Sequence, residues 1–284
     1  MRTRLVSAAF GIIFGIAILY FYKSVVLNIV IALIILWAIY EVLITTKYIR
    51  DKTLFTICSV FSVTVPFFNP SFYKLMSIIC YLFIFILFVY LLKRHRTMRL
   101  EVIGTCFMLS LLLSFSFSCL IFTRDKFLNY PINNPINDLS LFYIILILAG
   151  AWATDAGAYF VGRFLGKHKL APEISPKKTI EGAIGGIVIS ILVFIGIALV
   201  FKSYCYSQSH NIEINYITLI IASILCSGAA IIGDLSASLI KRECHIKDFG
   251  NIMPGHGGVL DRFDSLMFVA PLMFILLPMF PVVR

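Results

Sequence analysis

Residues 216–264 read YITLIIASILCSGAAIIGDLSASLI (216–240) and then KRECHIKDFGNIMPGHGGVLDRFD (241–264). The first 25 residues carry one charge, Asp234, and as a helix rising 1.5 Å per residue they extend about 37 Å, enough to cross a hydrocarbon core of about 30 Å. The next 24 hold four lysines and arginines and four acids, in a chain where 13% of residues are charged. Charge is costly at a bilayer, so an apolar span running straight into such a cluster marks a polar site at a membrane face.

The rest of the chain repeats the first half of that pattern. Its 284 residues are 60% hydrophobic, with a mean hydropathy of +0.97, which excludes an ordinary water-soluble domain and fits a bundle of spanning helices. Apolar stretches of spanning length lie at 5–22, 24–43, 75–92, 102–122, 140–161, 181–201 and 216–240. Two weaker ones, 54–68 with Pro66 and 259–280 with Asp261 and Asp264, bring the expected count to nine. The expected fold is therefore all-α, a polytopic integral membrane protein of about nine transmembrane helices.

Lysine and arginine distribution orients the bundle, because short cytoplasmic loops retain positive charge. With nine spans and a cytoplasmic N-terminus, 18 of the 24 basic residues fall inside and 6 outside. The 241–264 cluster then faces the cytoplasm. The net charge of +10 is accounted for by this bias and by anionic headgroups, so no nucleic-acid partner is expected. The first stretch follows Arg2 and Arg4 without a small-residue cleavage pattern and reads as a retained helix. Seven cysteines show no CxxC spacing and read as small apolar groups.

Composition divides the chain into residues 1–139, an N-terminal scaffold of spans, and residues 140–284, a catalytic transmembrane region around a cytoplasm-facing polar cavity. Before about residue 137 the acids Glu41, Asp51, Glu101 and Asp125 sit near span ends; nine of the fourteen acids follow Ser140. Small residues accumulate there too, allowing helices to approach closely.

Four groups of residues carry the chemistry. Asp155 is an intramembrane acid with Tyr159 four residues on, on the same helical face. Ser175-Pro-Lys177-Lys178-Thr179 precedes an apolar helix, with Ser175 or Thr179 as N-cap and Pro176 in the first turn; free N–H groups beside two lysines suit phosphate. Asp234, Ser238 and Lys241 follow i, i+4, i+7 spacing, and so share one helical stripe. Asp261 and Asp264 lie three apart on a helix opened by Gly257 and Gly258, and both carboxylates are expected to face one space. Oxygen-only ligands suit magnesium, which keeps waters and takes one or two carboxylates plus phosphates; Asp234 and Asp261 are the expected pair. His256, between glycines, reads as a donor to a phosphate oxygen. Acids for a divalent cation, basic clamps and a glycine turn describe phosphoryl or nucleotidyl transfer, with a lipid as one substrate.

Ser238, Lys241, Arg242, Lys247, Asp248, Pro254, His256, Gly257, Gly258, Asp261, Arg262 and Asp264 resemble, in order and spacing, the signature of the phosphatidate cytidylyltransferase (CDP-diacylglycerol synthase) family. Met253 departs from the expected Leu or Ile. The likeness extends over about residues 150–264, and before that only as apolar spans. It implies reaction of CTP with phosphatidate to give CDP-diacylglycerol and pyrophosphate, magnesium with the question of a second cation left open, and a homodimer. On this reading Asp234 and Asp261 bind metal and act in catalysis with Lys241 and Arg262. Substrates are held by Asp155, Ser175, Lys177, Lys178, Thr179, Ser238, Arg242, Lys247, Asp248, His256, Gly257, Gly258 and Asp264. The expected location is a bacterial inner membrane. A CTP-dependent polyprenol or other lipid kinase, and an ion-coupled transporter binding its ion at Asp155 and Asp234, stand as alternatives; the one-sided charge and the lack of an internal repeat count against the transporter.

Overall fold

The computed structural model describes residues 15, 17–49, 51–68, 73–128, 138–250, 252 and 257–283. It is nearly all helical. In chain order the elements are α1 (Val25–Tyr40), continued by a wider π turn (Glu41–Thr45), α2 (Lys52–Thr64), α3 (Tyr73–Lys93), α4 (Leu100–Leu128), α5 (Leu139–Leu165), β1 (Lys169–Ala171), β2 (Ser175–Thr179), α6 (Ile180–Ser207), α7 (Tyr216–Glu243), α8 (Leu260–Phe263) and α9 (Leu266–Met279).

Six helices among the described residues are long and apolar enough to cross a membrane; Lys52–Phe67 and Leu266–Met279 are shorter apolar helices. The expected first span, 5–22, lies mostly outside the described residues. The expected span 259–280 is broken: α8 ends at Phe263, a turn follows, and α9 has 14 residues with Pro271 and Pro278 inside it. Fourteen helical residues extend about 21 Å, short of the hydrocarbon core. Because α8 stops at Phe263, Asp261 and Asp264 do not share one helix.

The chain forms two compact units, Met1–Phe122 with Lys241–Phe263, and Thr123–Ile240 with Asp264–Arg284. In the first, α2 begins at Asp51, whose carboxylate accepts from the Thr53 amide at 2.8 Å, and gives way to a short 3-10 turn at Pro66. The Pro66 carbonyl accepts from the Asn28 side chain at 2.6 Å. An apolar helix thereby satisfies its one buried amide side chain with a carbonyl near a helix end.

In the second unit α5 and α6 form the most extensive helix pair. On α6, Ile184, Val188 and Leu192 are exposed at steps of four, while Gly182, Gly186 and Ser190 are buried. The bulky stripe suits lipid and the small stripe admits α5. A Cβ at Gly186 would lie 2.7 Å from the Thr154 carbonyl oxygen, and one at Gly157 would lie 3.0 Å from the Gly186 Cα. Hydroxyls fasten α7 to this pair: Thr154 Oγ1 meets Ser227 Oγ at 2.9 Å, and Ser223 Oγ meets Ser190 Oγ at 3.1 Å.

A small antiparallel hairpin, β1 with β2, departs from the expected all-helical chain, with Lys169 opposite Thr179 and Ala171 opposite Ser175. Ser175, Pro176, Lys177 and Lys178 are strand residues, so neither Ser175 nor Pro176 begins a helix. Thr179 is the N-cap of α6, accepting from the Gly182 amide at 3.1 Å. Glu181, in the first turn, accepts from the Lys167 amide at 3.0 Å and from the His168 ring at 2.5 Å, tying the start of the hairpin to the helix.

Candidate active site

The hairpin and three helices of the second unit enclose a cavity of about 420 Å³, whose polar wall is made by Asp155, Tyr159, Arg163, Lys169, Lys177, Lys178, Thr179 and Asp234. Each arrives there for a local reason. Asp155 and Tyr159 are one turn apart on α5. Extended backbone at Lys177 and Lys178 turns successive side chains to opposite faces, and Lys178 is the more enclosed of the two. Its Nζ lies 2.5 Å from Asp234 Oδ2, with side-chain exposures of 22% and 30%. The two form an ion pair that holds the Lys178 ammonium at the cavity wall.

Asp155 Oδ2 accepts from Ser265 Oγ at 2.5 Å, and the Ser265 amide donates to Asp264 Oδ1 at 2.9 Å. Asp264 is itself buried. Gly233, the neighbour of Asp234, admits this turn closely: a Cβ there would lie 2.7 Å from the Asp264 carbonyl oxygen. Ser238, further along α7, is also buried.

The first unit holds the loop from Lys241 to Phe263. Asp261 Oδ1 pairs with Lys241 Nζ at 2.8 Å, with side-chain exposures of 7% and 13%. Its Oδ2 accepts from the Phe249 and Gly258 amides, each at 2.9 Å. The Lys241 ammonium also lies 5.2 Å from the Phe249 ring centroid, a cation–π distance. Gly257 has φ of +86°, a conformation that excludes most side chains. Arg242, Lys247, Asp248 and Arg262 are exposed. Met253, Pro254 and His256 lie outside the described residues.

The sequence profile of the cytidylyltransferase family matches residues 2–280. The chain belongs to the cytidylyltransferase family. Curated relatives include the phosphatidate cytidylyltransferase of Bacillus subtilis (strain 168), 46% identical over 145 residues, 51% of this chain and 51% of the relative. The enzymes of that name from Staphylococcus haemolyticus (strain JCSC1435) and Staphylococcus aureus (strain COL) are 48% and 46% identical over 137 residues, 48% of this chain and 49% of each relative. The chain thus spans about half the length of the curated relatives it matches.

For a cytidylyltransferase, two tests bear on magnesium. Among the described residues no group of three or more His, Cys, Asp or Glu side chains is placed to hold a metal ion, whereas a cation that keeps waters and phosphate ligands takes only one or two carboxylates. Asp234 and Asp261 each already hold an ammonium, at 2.5 and 2.8 Å. The lysines stand in for cations and show that both carboxylates sit where positive charge is favoured. Each carboxylate is thus chemically able to accept a hard cation.

Sequence reasoning had singled out Asp155, Lys177, Lys178, Thr179 and Asp234, and the cavity gathers them. Arg163 and Lys169, which no motif singled out, line the same space. Sequence reasoning also missed Glu41, which was read as an acid near a span end. The available signal was its place among apolar neighbours, one turn after Trp37.

Proposed function

We propose that this chain transfers the CMP moiety of CTP to phosphatidate, giving CDP-diacylglycerol and pyrophosphate. The cavity of Lys178, Lys177, Lys169 and Arg163 facing Asp155 and Asp234 carries this reading, because four cations beside two acids suit a polyphosphate that arrives with a metal. The names of the curated relatives support it.

The phosphomonoester of phosphatidate has a second pKa near about 6, so it is largely dianionic at neutral pH and needs no general base. Its oxygen attacks the α-phosphorus of CTP in line; the new P–O bond forms as the bond from that phosphorus to the β-phosphate bridging oxygen breaks, and the electron pair leaves on pyrophosphate. The protein's work is positioning and charge neutralisation. Lys177, Lys178, Lys169 and Arg163 hold phosphate oxygens, Ser175 and Thr179 fix the strand and cap beside them, and Lys241, Arg242, Lys247 and Arg262 supply further cations. Asp234 and Asp261 would hold magnesium, which neutralises charge on the triphosphate when bound. His256, Gly257 and Gly258 would offer donors and close backbone approach, and Ser238, Asp248 and Asp264 would also help to hold substrate.

The remaining expectations belong to this proposal: nine spans, a cytoplasmic N-terminus, a cytoplasm-facing site within residues 140–284, a bacterial inner membrane and a homodimer. Positive charge concentrated in alternate loops supports the orientation.

Purified protein in phosphatidate-containing vesicles tests the reaction. Pyrophosphate release should require CTP, phosphatidate and magnesium together, with label from the α-phosphate of CTP appearing in lipid. Transfer of the terminal phosphate instead would overturn the reading in favour of a lipid kinase.

A further inference from the structure

Glu41 comes from a span that otherwise reads as scaffold, and its side chain is almost wholly buried, at 1% exposure. It opens the π turn after α1, an irregularity that often marks functional positions. Its two carboxylate oxygens divide the start of α8 between them: Oε1 accepts from the Val259 amide and Oε2 from the Leu260 amide, each at 2.8 Å. A buried carboxylate is costly in an apolar helix unless such donors meet it.

An independent observation concerns two glycines. A Cβ at Gly258 would lie 2.6 Å from both Glu41 oxygens, and a Cβ at Gly250 would lie 2.6 Å from Oε1. Neither glycine has the positive φ that distinguishes Gly257, so space rather than backbone freedom calls for glycine at 250 and 258. The loop has left room for this one carboxylate on two sides. The amide of Gly258 in turn donates to Asp261 Oδ2, and Phe249, the neighbour of Gly250, donates to the same oxygen. Glu41 and Asp261 therefore fix one stretch of backbone from opposite ends.

We infer that Glu41 is a positioning residue for the proposed transfer: its carboxylate fastens the backbone at 258–260, and through it sets where the Asp261 carboxylate points. The inference rests on the reaction proposed above for its catalytic consequence, and on the hydrogen-bond geometry alone for its structural one. Glu41→Gln keeps the volume but turns an NH2 toward one of the two amides, leaving that donor unpaired. Glu41→Asp keeps both acceptors and falls one methylene short.

The test combines kinetics with hydrogen exchange on the full chain in lipid nanodiscs. In Glu41→Gln, amides at 258–261 should exchange faster while α5 and α6 stay protected. The kcat should fall about ten- to a hundredfold, as for other residues that orient ligand-holding groups, with KM for CTP and phosphatidate within about threefold. Glu41→Asp should recover part of both effects. Unchanged exchange and kcat in Glu41→Gln would overturn the inference. So would loss of protection spreading through α5 and α6 in both variants, because the carboxylate would then support the fold at large. Wild-type protein that releases no pyrophosphate would defeat the proposed reaction, and the exchange data would still decide whether Glu41 holds the loop.

Discussion

The Lys178 ammonium and the Asp234 carboxylate meet at 2.5 Å across 56 positions of sequence, one from a strand and the other from a spanning helix. Both side chains line the polar wall of the cavity. An ammonium that lines a polar cavity can take phosphate oxygens as well as hold the acid beside it.

Lys178→Met should therefore lower kcat/KM for CTP by about a hundredfold, the scale for loss of one preorganised charge clamp. Steady-state pyrophosphate release measures this. The double variant Lys178→Met with Asp234→Asn removes both charges and should melt higher than Lys178→Met alone, because no uncompensated carboxylate remains. Activity should stay low in the double variant. Recovery of activity with stability would show the pair to be structural.

Asp261→Ala should abolish turnover and leave insertion into membranes intact. The carboxylate accepts two amides and one ammonium, so its removal strips the loop of its organising acceptor without touching a spanning helix. Pyrophosphate release and the membrane-fraction yield are the two measurements, and near-normal activity would refute the catalytic assignment of Asp261.

At the edge of α2, the Tyr90 hydroxyl donates to Asp51, and this bond, with the Thr53 amide, holds the Asp51 carboxyl below its usual range. A pKa depressed by folding contributes stability that is present above the unfolded value of about 3.9 and is lost as pH falls through the folded value. Between pH 5 and pH 3 the wild-type chain should lose more thermal stability than Asp51→Asn, which has no such proton to gain. Melting curves of the two proteins across that range check the sign; parallel curves would contradict it.

What the sequence made legible follows the physics of each signal. The long spans were readable because about 20 apolar residues have few other uses, and α7 begins at Tyr216 as expected. Thr179 as N-cap was readable from its position before an apolar run. The hairpin was not: Ser-Pro-Lys-Lys-Thr carries no alternating hydrophobicity, and its strand character comes from pairing with Lys169–Ala171, a contact between segments that each look like loop. The break at Asp264 was hidden because residues after it are apolar enough to continue a span. Glu41 was misread for the same kind of reason, since its partners are backbone amides 218 and 219 positions away, and amides leave no mark on sequence.

The seam between α5 and α6 offers a test of how the fold supports the cavity. Gly186 faces the Thr154 carbonyl so closely that an added methyl group would sit 2.7 Å from backbone oxygen, whereas a Cβ at Gly196 on the same helix meets nothing within 4 Å. Gly186→Ala should force the helices apart at a cost of about 1–3 kcal/mol. Gly196→Ala should be neutral or gain about 0.5–1 kcal/mol from the stiffer backbone. Thermal melts in detergent separate the two, and equal behaviour would mean that the seam yields freely. Because α5 carries Asp155 and α6 begins at the Thr179 cap, the Gly186 variant should also lose turnover, while the Gly196 variant should retain it.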